Sequence, residues 1–117
     1  AEAIHKVFEN DGAELYREQA FELIYQKKWM SGVVDRLHLY REDGEISRIE
    51  VIDFKTDVVK SSSDLVVRYL EQMMSYKAAV AQVFEVGVSM VECRIVSTSL
   101  AEVIDVNGGD IQGELDL

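Results

Sequence analysis

Proline is absent from these 117 residues and cysteine occurs once. Without proline, tight turns fall to glycine and to Asp, Asn and Ser, whose side chains bond back to the backbone. The lone thiol, Cys93, excludes an intramolecular disulfide and any cysteine-based zinc cluster. It sits in a stretch of alternating apolar residues and reads as a small core residue, in keeping with a reducing, cytoplasmic setting. Long apolar runs are missing as well. None approaches the ~20 residues that a membrane-spanning helix requires, and no signal-peptide pattern occurs, so no membrane partner is expected.

Bases are scarce, with 12 Lys and Arg against 22 Asp and Glu, a formal net charge of −10. Phosphate contacts are made by Lys and Arg, so this balance weighs against a strong grip on nucleic acid. The distribution softens the objection. Residues 1–22 hold six acids and two bases, residues 101–117 hold five acids and no base, and residues 23–100 are near neutral. A metal ion or an attached partner would have to supply much of any attraction for DNA.

What is present suffices for a single domain over residues 1–117, since 48% hydrophobic and 29% charged residues are ordinary for a globular chain. Residues 1–10 read as a helix with Ile4, Val7 and Phe8 on one face, stopped by Asn10-Asp11-Gly12. Alternation then predicts strands over 14–25, 29–40 and 46–55, with a turn at Glu42-Asp43-Gly44-Glu45. The third strand is apolar on both faces at its end, which places it centrally. The polar run 60–64 can cap a helix that extends to about Glu85, with Leu65, Tyr69, Met73, Tyr76 and Val80 as its buried stripe. Gly87 ends it, strands over 91–98 and 101–106 follow as a hairpin through Ser99-Leu100, and the glycine-rich acidic tail from Asn107 should fray. The order is α-β-β-β-α-β-β, an α/β sheet with helices packed on it.

Two strand-like runs carry charge that a buried strand tolerates poorly: Gly32-Val33-Val34-Asp35-Arg36 and Ile52-Asp53-Phe54-Lys55-Thr56. Whether Asp35 and Asp53 cooperate depends on register, because a slip of one residue turns every side chain to the other face. A two-residue turn at Asp43-Gly44 would pair Asp35 with Ile52 and send Asp53 to the far side. A three-residue loop, Glu42-Asp43-Gly44, would pair Asp35 with Val51 and leave both acids on one face. Two carboxylates there suit Mg²⁺ or Mn²⁺, which take hard oxygen ligands, water and substrate phosphate. Lys55, two positions after Asp53, projects from the same face and could stabilise charge on a phosphate in the transition state. A plainer alternative has Asp53 paired with Lys55 and Asp35 with Arg36 as structural ion pairs.

Gly-x-x-Asp-Arg, then Ile-Asp-Phe-Lys-Thr, then Tyr69-x-x-Gln72-x-x-x-Tyr76 resembles the RecB-like branch of the PD-(D/E)XK nuclease superfamily. Arg17-Glu18-Gln19-Ala20-Phe21 is similar to an Arg-Glu-x-x-Phe strand of that branch, so the resemblance covers residues ~15–80. It implies a restriction-endonuclease-like mixed central sheet flanked by helices, from the C-terminal end of a larger helicase–nuclease. It also implies an Mg²⁺- or Mn²⁺-dependent exonuclease acting on DNA in repair or recombination, with a helicase as partner. By position, Asp35 and Asp53 match the metal-binding acids, the Phe54 carbonyl a further ligand, and Lys55 the catalytic lysine. Gln72 and Tyr76 match a helix motif that steadies the site and touches DNA, with Arg36, Thr56 and Tyr69 as supporting or DNA-facing residues. Core packing is an equally good reading of Tyr69 and Tyr76. A metal-ligating histidine usually lies well upstream in this branch. His5 sits too close to the first strand to match it well, and His38 faces away from Asp35. A chain entering on a helix without methionine is then read as a fragment, and a catalytically silent DNA-guiding or structural module is the alternative function.

Overall fold

The computed structural model describes residues 13–106. The helix expected over 1–10, His5 and the tail from Asn107 lie outside the described residues. Five strands and one long helix follow in order: β1 (Glu14–Tyr25), β2 (Lys28–Glu42), β3 (Glu45–Lys55), α1 (Ser62–Val83), β4 (Val91–Ser97) and β5 (Glu102–Asp105), with a short 3₁₀ turn at Val88–Met90 ahead of β4. The strands lie in the sheet in chain order, all antiparallel except β3 and β4, which run parallel because α1 carries the chain back across the sheet. β3 is therefore central, as its apolar character on both faces requires. This is the mixed α/β sheet that the alternation implied.

α1 begins after Ser61, whose extended backbone makes it the N-cap although its hydroxyl contacts Ser63 Oγ instead of a helix N–H. Leu65, Met73, Tyr76 and Val80 recur on one face and are buried, while Tyr69 packs at the margin of the core. They meet Leu37 and Leu39 of β2, Ile49 and Val51 of β3, and Cys93 and Ile95 of β4. Each fully buried aliphatic side chain of this kind contributes roughly 1.5–3 kcal/mol. Cys93 belongs to that core; its thiol points at the Met73 carbonyl, and burial pushes its pKa up to about 12.

The β1–β2 ribbon switches face halfway along. Near its tip, Phe21 and Gly32 lie against α1, where Phe21 meets Tyr76 edge-on at 5.3 Å. Past the switch, Tyr16 and Leu37 take that side, with Tyr16 against Phe84. Between the halves the ladder skips the Glu18–Asp35 pair, and Glu18 holds φ +49. An irregularity of this type re-aims side chains, and Asp35 lies in it.

Candidate active site

A two-residue turn joins β2 to β3, with Glu42 opposite Glu45 and positive φ at both Asp43 and Gly44. The three-residue loop expected above is not formed, and Val51 pairs with Leu37, not Asp35. A bulge at Ser47 restores the parity: Arg41 faces Ile46, whereas Tyr40 faces Arg48. Continued one step past the last pair, Arg36 with Ile52, this register sets Asp35 opposite Asp53. Turn and bulge together bring the acids closer than the loop would have done. The ladder has stopped there, and the Asp35 side chain takes over its role: Oδ2 accepts the Phe54 N–H at 2.9 Å.

Asp53 is 3% exposed, on the α1 side of central β3. Its Oδ2 forms an ion pair with Lys55 Nζ at 2.7 Å, and among the described residues no second donor reaches that buried oxygen. Desolvation raises the Asp53 pKa to about 6; the proton it then holds can be donated to the Asp35 carboxylate, whose charge adds to the rise against the pull of Lys55. Two acids crowded together, one of them buried, form a site that a cation would relieve. Lys55 donates to Gln72 Oε1 at 2.8 Å and lies 4.0 Å above the Tyr69 ring. Tyr69 in turn donates its hydroxyl to Asp57, which also receives Arg68 at 2.6 Å. Tyr76 is buried beside the acids, and burial first, then the charges of Asp53 and Asp35, push its phenol to about 12.

The geometry thus unites Asp35, Asp53, Lys55, Gln72, Tyr69 and Tyr76, while Phe54 joins through its N–H. Thr56 is exposed just past the end of β3. Arg36 is buried and donates to His38 Nε2 at 2.8 Å. It makes no ion pair with Asp35 either, so of the two structural ion pairs considered from sequence only Asp53 with Lys55 exists. His38 is buried on the face away from α1, a structural position. Asp57 was not singled out from sequence; the signal for it was that it is the one acid between Lys55 and the Ser61 cap. Nothing in the sequence marks the break at Glu18.

A model of the PD-(D/E)XK nuclease superfamily matches residues 2–110. The chain belongs to this superfamily. Membership agrees with the five-stranded mixed sheet, which is of the restriction-endonuclease-like kind, and with nuclease activity, for which members of the superfamily typically use divalent metal ions. No curated protein matches the chain significantly. The donor set fits such an ion: two adjacent carboxylates, one of them buried with a single lysine as partner, are within the usual protein share for Mg²⁺. Among the described residues, no cluster of three or more acidic, histidine or cysteine side chains forms around them. No helix among the described residues is long and apolar enough to cross a membrane.

Proposed function

We propose that this is a nuclease domain of the RecB-like branch that hydrolyses DNA phosphodiester bonds with Mg²⁺ or Mn²⁺. It works as an exonuclease alongside a helicase in repair or recombination. The observation that carries the reading is the buried Asp53 carboxylate, crowded against the like-charged Asp35 and paired with one lysine at 2.7 Å. A purely structural ion pair gains nothing from a second carboxylate that repels the first. Asp35 and Asp53 would hold the ion, which when bound lowers the pKa of coordinated water and offsets charge on the scissile phosphate. Lys55 supplies a positive donor to the phosphoryl oxygens as water attacks phosphorus and the P–O bond to the leaving oxygen breaks. Gln72 and Tyr69 hold that amine to a narrow range of directions. Tyr76 stands beside the acids with Phe21 edge-on against it, and a Cβ added at Gly32 would stand 3.0 Å from the Phe21 ring.

A silent DNA-guiding module is the second reading, favoured by the absence of a third ligand among the described residues and by the acidic flanks. Calorimetric titration of Mn²⁺ separates the two at once. Wild type should release heat that Asp35→Ala loses; no heat from wild type would end the metal-site reading. In a cleavage assay, Asp53→Ala and Lys55→Ala should each lose about 10²-fold or more of Mn²⁺-stimulated activity while keeping the fold. Equal cleavage by these variants rules out the site.

A further inference from the structure

The outer half of the β1–β2 hairpin does nothing in the chemistry above, yet it is built against ordinary surface rules. Its face away from α1 shows a directly paired Ile24 and Trp29, 68% and 67% exposed, followed by Val33 at 47%. Lys27 and Lys28 stand exposed at the tip, and residues 23–34 hold no acid in a chain whose net charge is −10. The turn itself is strained. Gln26 and Lys27 hold φ +51 and +63, where Asn-Gly would fit without penalty. A side chain in that region costs on the order of 1 kcal/mol or more, and here one of the two is a lysine at the outermost point.

Two shallow hollows lie along the ribbon between this tip and Asp35. One, of about 470 Å³, is lined by Ala20, Glu22, Ser31 and Val33 among others. The next, of about 540 Å³, is lined by Arg17, Glu18, Asp35 and Phe54 with Arg36. Trp29 and Asp35 are six residues apart on one strand, so about 20 Å separates them.

We propose that this face is a track for one single strand of DNA, with a base stacked on Trp29 and phosphates near Lys27 and Lys28, running toward Asp35 at the break in the ribbon, on whose other side Asp53 faces α1. The proposal rests on the nuclease reading for the direction of travel. An exposed indole offers a π-face that any unpaired base can use and that a stacked duplex does not, which is why a single strand fits. The lysines supply the only charge within that acid-free span, and its sign is complementary to phosphate. Glu22, which faces Ser31 in the middle of the track, opposes the phosphates.

Trp29 is the one tryptophan in the chain, so its emission reports the tip directly. The test titrates the whole chain, in EDTA, with a dT oligomer of ~12 nucleotides. Saturable quenching is expected. By anisotropy of a labelled oligomer, Trp29→Ala should weaken binding by about 5-fold to 100-fold, and Trp29→Phe should restore most of it. Lys27→Gln with Lys28→Gln should make the salt slope shallower by about 1.4, and Glu22→Gln should tighten binding. Binding that leaves emission unchanged and survives Trp29→Ala overturns the proposal. Emission that shifts with protein concentration, without DNA, also overturns it and assigns the face to a second copy; the same holds if duplex competes as well as single strand. Mn²⁺-dependent cleavage of the same oligomer is scored separately. Quenching without cleavage sinks the nuclease reading alone, cleavage without quenching sinks the track alone, and neither signal sinks both.

Discussion

Two carboxylates in this sheet are buried to nearly the same degree, Glu50 at 5% exposure and Asp53 at 3%, and they are treated oppositely. Glu50, on the face away from α1, accepts the Tyr40 hydroxyl at 2.5 Å and a close Arg94 guanidinium, with His38 Nδ1 at 3.7 Å and Arg48 at 4.0 Å. Arg94 is shared with Glu92 and Asp105, which ties β3 to β4 and β5. Asp53, three residues on and facing the helix, has one cation and one like-charged neighbour. Burial alone therefore does not mark a functional acid. What separates them is whether the surroundings complete the charge or leave room for something else to complete it.

Breaking the completed cluster should have the largest effect. Glu50→Ala leaves the Tyr40 hydroxyl without its acceptor and takes from Arg94 one of its three carboxylates, so it should cost about 3 kcal/mol, read as a lower midpoint in urea. A loss below ~1 kcal/mol would mean that the two clusters do not differ as argued. Next in size is Gly32→Ala, on the wall of the open cluster. The added Cβ meets Phe21 at 3.0 Å and Tyr76 at 3.3 Å, and overpacking of this kind costs about 1–3 kcal/mol. Because Tyr76 stands beside the acids, Mn²⁺ affinity should fall with stability.

Much of this contrast was legible in the chain. Alternation in 46–55 and the Leu65, Met73, Tyr76, Val80 stripe report the pleat and the 3.6-residue period directly, and both match the structure. The D-x-K spacing put Asp53 and Lys55 on one face for the same reason. Register was harder. Asp43-Gly44 announces a two-residue turn, which by itself would have parted the acids, and the Ser47 bulge that reunites them has no residue signature. Gln26-Lys27 makes the same kind of turn with no glycine, so its strain could not be foreseen. A motif names a residue type without saying which face receives it, and the break at Glu18 and Asp35 changes faces, so Arg36 could not be placed from its motif alone. Non-local register decides such cases, and a single sequence holds little of it.

Asp53→Asn should have a smaller effect of opposite sign. It removes a buried charge whose protonation folding favours, so at pH 8 without metal the variant should be more stable by ~1–2 kcal/mol, while Mn²⁺ binding is lost. A variant less stable than wild type would show that Lys55 completes Asp53 after all.

The smallest effect is in the pH response, where the clusters should pull against each other. For Asp53 the folded pKa is raised, so its contribution is fully present below the ordinary carboxylate value and is lost as pH rises through about 6. For His38 the folded pKa is lowered, chiefly by burial and then by Arg36, with Glu50 resisting. Its contribution is present above the ordinary imidazole value near 6.5 and is lost as pH falls through it. Between pH 7 and pH 5 acid thus helps the open cluster and harms the closed one, and wild-type stability should change little. Asp53→Asn keeps only the His38 arm, so its stability should fall by up to ~1 kcal/mol per pH unit across that window. Thermal or urea unfolding of both proteins at several pH values decides the matter, because parallel curves would mean that Asp53 carries no displaced proton equilibrium and that its buried oxygen is not waiting for a cation.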